Sequence, residues 1–167
     1  IGQVIHSYCA QLDSEVVHRV RLTLSPKGQI NLTSKPFEAP DSPLKIGLSG
    51  VRVASGNPRL GHKTTLRGQY DRARAVARAQ GWFDALLINE RDEVTEGAVT
   101  NVFLRLDGGW VTPPLSSGVL PGVGRRDFFL NVGAIERPIF KEDLKRAQEI
   151  CLTNAVMGTQ PAVWSGQ

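Results

Sequence analysis

Pro36, Pro40 and Pro43 stand close together in Lys-Pro-Phe-Glu-Ala-Pro-Asp-Ser-Pro and constrain the fold more than any other feature. Proline fixes its own φ and gives no backbone N–H to a sheet ladder, so no regular element runs through this stretch. It is expected to be a connector between a small lobe over 1–40 and a larger lobe over 41–167.

Before the connector, 1–12 reads as an apolar helix-like stretch, and 16–24 carries Val16, Val20, Leu22 and Leu24 on one parity. Ser25-Pro-Lys-Gly28 then makes a turn and 29–35 alternates again, which together predict a β-hairpin. No capping residue precedes the first stretch and Ile1 is not an initiator, so the chain is read as a fragment.

After the connector, 44–53 is an extended candidate, and from Tyr70 the face Ala73, Val76, Ala77 and Gln80, at i, i+3, i+4 and i+7, predicts a helix that Gly81 stops. Strands are expected over 82–88, 94–96, 102–106 and 110–112, punctuated by Glu90-Arg-Asp-Glu93 and Asp107-Gly-Gly109. The last third predicts helices over 124–131 and 141–148 and extended segments over 135–139 and 149–154. Such mixing predicts an α+β sheet domain.

Composition excludes several classes. With 20 Lys+Arg against 16 Asp+Glu, the net charge of +4 lacks the clustering of a nucleic-acid binder. No apolar run approaches the roughly 20 residues that cross a bilayer as a helix, so no membrane partner is expected and the protein is read as cytoplasmic. Cys9 and Cys151 lie far apart without metal-ligand spacing, as buried free thiols do.

Three local features carry possible chemistry. Lys63 sits in a loop, Gly61-His62-Lys63-Thr64-Thr65, where a lysine is ordinarily solvated and otherwise a nucleophile. Leu120-Pro121-Gly122-Val123-Gly124-Arg125 leads into a helix, and is either a plain tight turn or a set of N–H groups at the positive end of a helix dipole, suited to phosphate. Glu96 stands before Gly97 at a strand end; buried against a pyridine nitrogen it would favour the protonated ring.

Taken together, Lys63, then Glu96-Gly97 with Asn101-Val102-Phe103, then Thr112-Pro113 and Leu120-Pro121-Gly122-Val123-Gly124-Arg125, resemble the class IV aminotransferase family of pyridoxal-phosphate enzymes. That family includes branched-chain and D-amino acid aminotransferases and 4-amino-4-deoxychorismate lyases. The run Leu60-Gly-His-Lys-Thr-Thr-Leu-Arg67 with Tyr70 is similar to the lyase-like branch, especially the lyase domain fused behind aminodeoxychorismate synthase component I. The match runs from about Arg19 to Ala162.

The resemblance implies a fold-type IV architecture, a small truncated lobe followed by a larger mixed-sheet lobe, assembled as a homodimer. It implies pyridoxal 5′-phosphate as a Schiff base on Lys63, with Glu96 on the pyridine nitrogen, the amides of Val123 and Gly124 on the phosphate and Asn154 as a second phosphate-side residue. Arg21 would meet a substrate carboxylate, although Arg19 shares its strand parity and solvent exposure is the other reading of both.

The chain departs from the pattern at Gly124, where many relatives carry a Thr or Ser hydroxyl, and the segment that usually supplies a phosphate-binding arginine would precede Ile1. The implied reaction on a small-molecule amine is cleavage of aminodeoxychorismate to para-aminobenzoate and pyruvate in folate synthesis. An aminotransferase of the same fold and a non-catalytic binding or assembly module are the competing expectations.

Overall fold

The computed structural model describes residues 1–166, which form two compact units, Ile1–Pro40 and Asp41 onward. In the first unit a helix, α1 (Gly2–Cys9), precedes a two-stranded antiparallel hairpin of β1 (His18–Leu24) and β2 (Ile30–Pro36). Val20 and Leu22 are half-buried on one face of β1 while Arg19 and Arg21 point to the exposed face, as the alternation of side chains along a strand requires. Tyr8 of α1 donates to Ser34 Oγ at 3.0 Å. No residue among 1–40 is fully buried.

The second unit is built on an eight-stranded mixed sheet. In chain order its elements are β3 (Leu44–Val53), α2 (Gly68–Ala79), β4 (Asp84–Asn89), β5 (Val94–Gly97), β6 (Asn101–Leu106) and β7 (Gly109–Thr112). They continue with α3 (Val123–Val132), β8 (Ile135–Glu136), α4 (Lys141–Arg146), β9 (Glu149–Asn154) and β10 (Gly158–Trp164). Strands lie side by side in the order β5-β4-β3-β10-β9-β6-β7-β8. β3 runs parallel to β4 and β10, and β7 parallel to β8; the remaining pairs are antiparallel.

Strands β5 and β6 stand first and sixth in that order yet are joined by the tight Gly97–Thr100 turn, closed by Gly97 N–H to Thr100 O at 2.8 Å. The sheet therefore curls until its first strand meets its sixth, and Val94 N–H reaches Ile139 O, just beyond the last strand, at 2.7 Å. The core follows this curl: Ile46, Leu86, Leu87, Val102, Phe103, Leu104 and Leu152 are wholly buried, and Ala73 and Ala77 seat α2 on the sheet. Small residues on that face let the helix approach closely.

The α+β architecture agrees with the sequence expectation, and β3 and β9 have the expected bounds. Several other elements, among them α1, β1 and β4, shift by a few residues at their ends, and three differences have a clear physical cause. β10 was not anticipated, because Pro161 lies within it and proline is rare inside a central strand; here the parallel ladder to β3 involves only Ala162, Val163 and Trp164, beyond the proline. The extended segment after α3 is ladder-bonded over two residues only, since Pro138 gives no N–H. α4 ends at Arg146, where Gln148 N–H is drawn to Arg105 O at 3.0 Å and the chain enters β9.

Candidate active site

The second unit brings together Glu96, Tyr70, Asn101 and the Leu120 backbone. Glu96 is 5% exposed at the end of β5. Its Oε1 accepts from the Tyr70 hydroxyl at 2.8 Å, and its Oε2 accepts from Asn101 Nδ2 and from Leu120 N–H, both at 3.1 Å. Burial pushes the carboxyl up to about 7, opposed by the bonds from Tyr70 and Leu120 and by the positive charge of Lys63, and reinforced by the Asp84 carboxylate.

Two buried groups shape the turn carrying Glu96 and Asn101. Asp84, fully buried at the start of β4, accepts from the N–H groups of Ala98 and Val99 at 3.0 and 3.1 Å and from Thr100 Oγ at 2.8 Å. Burial holds its carboxyl above the usual range against these bonds. A Cβ at Gly97 would lie 2.3 Å from Asp84 Oδ2, so the Glu96-Gly97 pair is tied to this close approach. Asn101 also donates to Leu120 O at 3.0 Å, which fastens the Leu120-Pro121-Gly122 loop to the same turn.

That loop delivers the start of α3. Its first turn, from Gly122 through Val123 and Gly124, has no side-chain cap, so its leading N–H groups give no capping bond to a side chain, the condition of an anion site at a helix start. Arg125, nearly buried, anchors the helix by donating to Pro113 O at 3.0 Å and to Glu136 Oε1 at 2.7 Å. A Cβ at Gly124 would meet the backbone C and O of Asn154 at 2.8 Å. The glycine that departs from the expected hydroxyl is thus what lets the end of β9 pack against the helix start.

Asn154 lies at this junction, but its side chain is engaged by backbone: Oδ1 accepts from Val156 and Met157 N–H in its own turn at 2.8 and 2.9 Å, and Nδ2 donates to Val99 O of the Gly97–Thr100 turn at 3.3 Å. One residue earlier, Thr153 is paired across the sheet with Asn101, so both side chains stand on one face. Its buried Oγ has no hydrogen-bond partner among the described residues.

Lys63 is exposed in the loop between the short 3-10 turn Pro58–Gly61 and α2, and its charge acts on Glu96. His62 is exposed beside it. Glu96, Lys63, Val123, Gly124 and Asn154 all belong to the second unit, whereas Arg21 is exposed on β1 of the first, opposite Thr33. The parts of Asp84 and Tyr70 in holding Glu96 and its turn were not read from the sequence. An acid opening the otherwise apolar Asp84-Ala-Leu-Leu-Ile88 was the available signal.

The donor set fits pyridoxal phosphate: a buried, adaptable carboxyl for a ring nitrogen, an orphaned hydroxyl on the face bearing Asn101, an uncapped helix start for a phosphate, and a lysine within electrostatic reach. Among the described residues no cluster of His, Cys, Asp and Glu suits a metal ion, and no helix is long and apolar enough to cross a membrane.

A family model described as amino-transferase class IV matches residues 1–163. The chain is 29% identical over 153 residues to a "Probable branched-chain-amino-acid aminotransferase" of Thermotoga maritima, covering 86% of this chain and 55% of the relative. It is 30% identical over 145 residues to a "Putative aminodeoxychorismate lyase" of Schizosaccharomyces pombe, covering 82% of this chain and 62% of the relative. The crystal structure of a "Putative amino-acid aminotransferase" from Mesorhizobium loti superposes with a TM-score of 0.88 at 33% identity, covering 98% of this chain and 80% of that one. The chain thus spans less than two thirds of the length of these two curated relatives.

Proposed function

This chain belongs to the amino-transferase class IV family, whose members use pyridoxal phosphate, and from that premise we propose that it is the greater part of a lyase converting 4-amino-4-deoxychorismate to para-aminobenzoate and pyruvate. The observation that carries the cofactor reading is the buried Glu96 carboxyl, bonded by Tyr70, Asn101 and Leu120 and subject to the charge of Lys63. The Lys63-Thr-Thr-Leu-Arg67 run with Tyr70, and the yeast relative, favour the lyase. Assembly as a homodimer in the cytoplasm belongs to the same proposal.

In this reading Lys63 would hold the cofactor covalently, Glu96 would face its ring nitrogen, and the Val123 and Gly124 amides, beside Asn154, would receive its phosphate. When bound, pyridoxal phosphate withdraws electrons from the amine-bearing carbon of the substrate. Glu96, held by three donors, would supply negative charge to a protonated ring nitrogen, and the positive charge of that nitrogen would in turn favour the ionised carboxyl. Lys63 Nζ, when not bonded to the cofactor, would take the proton from the amine-bearing carbon as general base and return it as general acid. Loss of the enolpyruvyl group as pyruvate leaves an aromatic ring, which makes the elimination effectively irreversible. Arg21 would meet a carboxylate of the substrate.

Borohydride reduction of the loaded protein, followed by peptide mapping, is expected to find the adduct on Lys63, and Lys63→Ala to abolish pyruvate release from aminodeoxychorismate. Pyruvate released at the wild-type rate by that variant sinks the assignment. The Thermotoga and Mesorhizobium relatives favour a second reading, an aminotransferase. That reading requires an amino acid alone to convert the bound cofactor to its amine form, seen as a change in absorbance. Absence of any cofactor absorbance after reconstitution favours a non-catalytic module.

A further inference from the structure

We propose that Tyr70 is the positioning residue of Glu96: its hydroxyl fixes the direction of the Glu96 carboxylate and stabilises its anionic form, and Arg67 holds the ring that presents it. The proposal rests on the reading of Glu96 as the cofactor-facing acid.

The two carboxylate oxygens are held differently. Oε2 accepts from two donors placed by the sheet and the Leu120 loop, while the donor seen on Oε1 is Tyr70, 2.8 Å away on α2. Removing that hydroxyl leaves a buried oxygen without this partner, and the carboxyl then turns away or takes up a proton.

The ring is itself immobilised. It packs against the buried cluster of Val53, Leu60, Ala73, Leu87 and Ala98. The Arg67 guanidinium lies over it, 4.9 Å from the centroid, and is tied in turn by a 2.5 Å bond to Ala98 O. A cation over a phenol favours the polarised O–H, which strengthens the bond it donates. Burial, followed by the Glu96 charge, drives the phenol's own ionisation far above its ordinary range, so it remains a donor at any working pH. Charged and titratable groups acting on Glu96 are Tyr70, Lys63 and Asp84, with Arg67 acting on Tyr70.

Arg67 and Tyr70 follow Lys63 within one loop-to-helix segment. A single stretch of chain therefore carries both the lysine and the group that orients the acid.

The test uses the full chain and Tyr70→Phe, which removes only the hydroxyl. In the cofactor-free protein, carbon-13 NMR of labelled glutamate, with Glu96 assigned through Glu96→Gln, is expected to show its midpoint rise by roughly one pH unit in Tyr70→Phe, the size of a lost bond to a charged group. An unchanged midpoint overturns the proposal. In the loaded protein at pH 7, Tyr70→Phe is expected to weaken pyridoxal phosphate binding about fivefold, the fall in the ionised fraction of Glu96 when its midpoint rises by roughly one unit from about 7, and to have no such effect in a Glu96→Gln background. A loss of equal size in both backgrounds means that Tyr70 acts only as packing, which also overturns the proposal. If the wild type binds no cofactor while the midpoint still moves, the positioning role stands and the cofactor reading falls.

Discussion

At the scale of single residues the candidate site depends on what burial does to one carboxyl. Glu96 ordinarily titrates near 4.5 and is pushed up to about 7 in the folded protein. Between those values the folded state holds a proton that the unfolded chain has released. Its stabilising contribution is therefore full below about 4.5 and is lost as pH rises through about 7. Glu96→Gln removes that titration, so the stability of the cofactor-free variant relative to wild type should increase over this range by on the order of 3 kcal/mol, read from urea unfolding at a series of pH values. A difference that stays flat with pH means that Glu96 bears no such burial cost. The resemblance put forward Lys63, Glu96, Val123 and Gly124 as candidates from the order and spacing of their motifs. That Tyr70 bonds Glu96 was not legible, because the pair is 26 residues apart and no local pattern encodes a contact made only when α2 lies on the sheet.

At the scale of elements, the Gly97–Thr100 turn does most to place the site, and Asp84 is the group that forms it. Its carboxyl gathers two backbone N–H groups and a hydroxyl from the next hairpin-like connection, so the start of β4 fixes the end of β5 and the start of β6. Asp84→Asn replaces one acceptor oxygen by an amide that confronts donors. It is expected to cost about 2–3 kcal/mol and to speed amide exchange at Ala98 and Val99, with both measured on the cofactor-free protein. Unaltered exchange there would show that the turn holds itself. Helix α2 was legible because Ala73, Val76 and Ala77 repeat at helical spacing, and Gly81, at a φ of 67°, stops it as expected. Strand β10 was not, because the same Pro161 that argues against a central strand is tolerated where the ladder to β3 has yet to begin.

At the scale of the whole molecule, the two units differ in what they bury. The first places no residue fully inside, while the second encloses an apolar core. Residues 41–167 expressed alone are therefore expected to unfold cooperatively on heating, and 1–40 alone to show no cooperative transition, both followed by circular dichroism; the reverse outcome would refute the division. The sequence by itself determined where elements can form and where they must stop, because periodicity, proline and glycine act over a few residues. It also determined the order of the lysine, the acid and the phosphate-type loop. Only the tertiary structure decided that the first strand of the sheet meets the sixth, that Asn154 packs on Gly124, and that Tyr70 and Leu120 both reach Glu96. These contacts join segments far apart along the chain. Their energy comes from burying apolar surface and pairing the polar groups trapped with it, and it exists only once the sheet has curled.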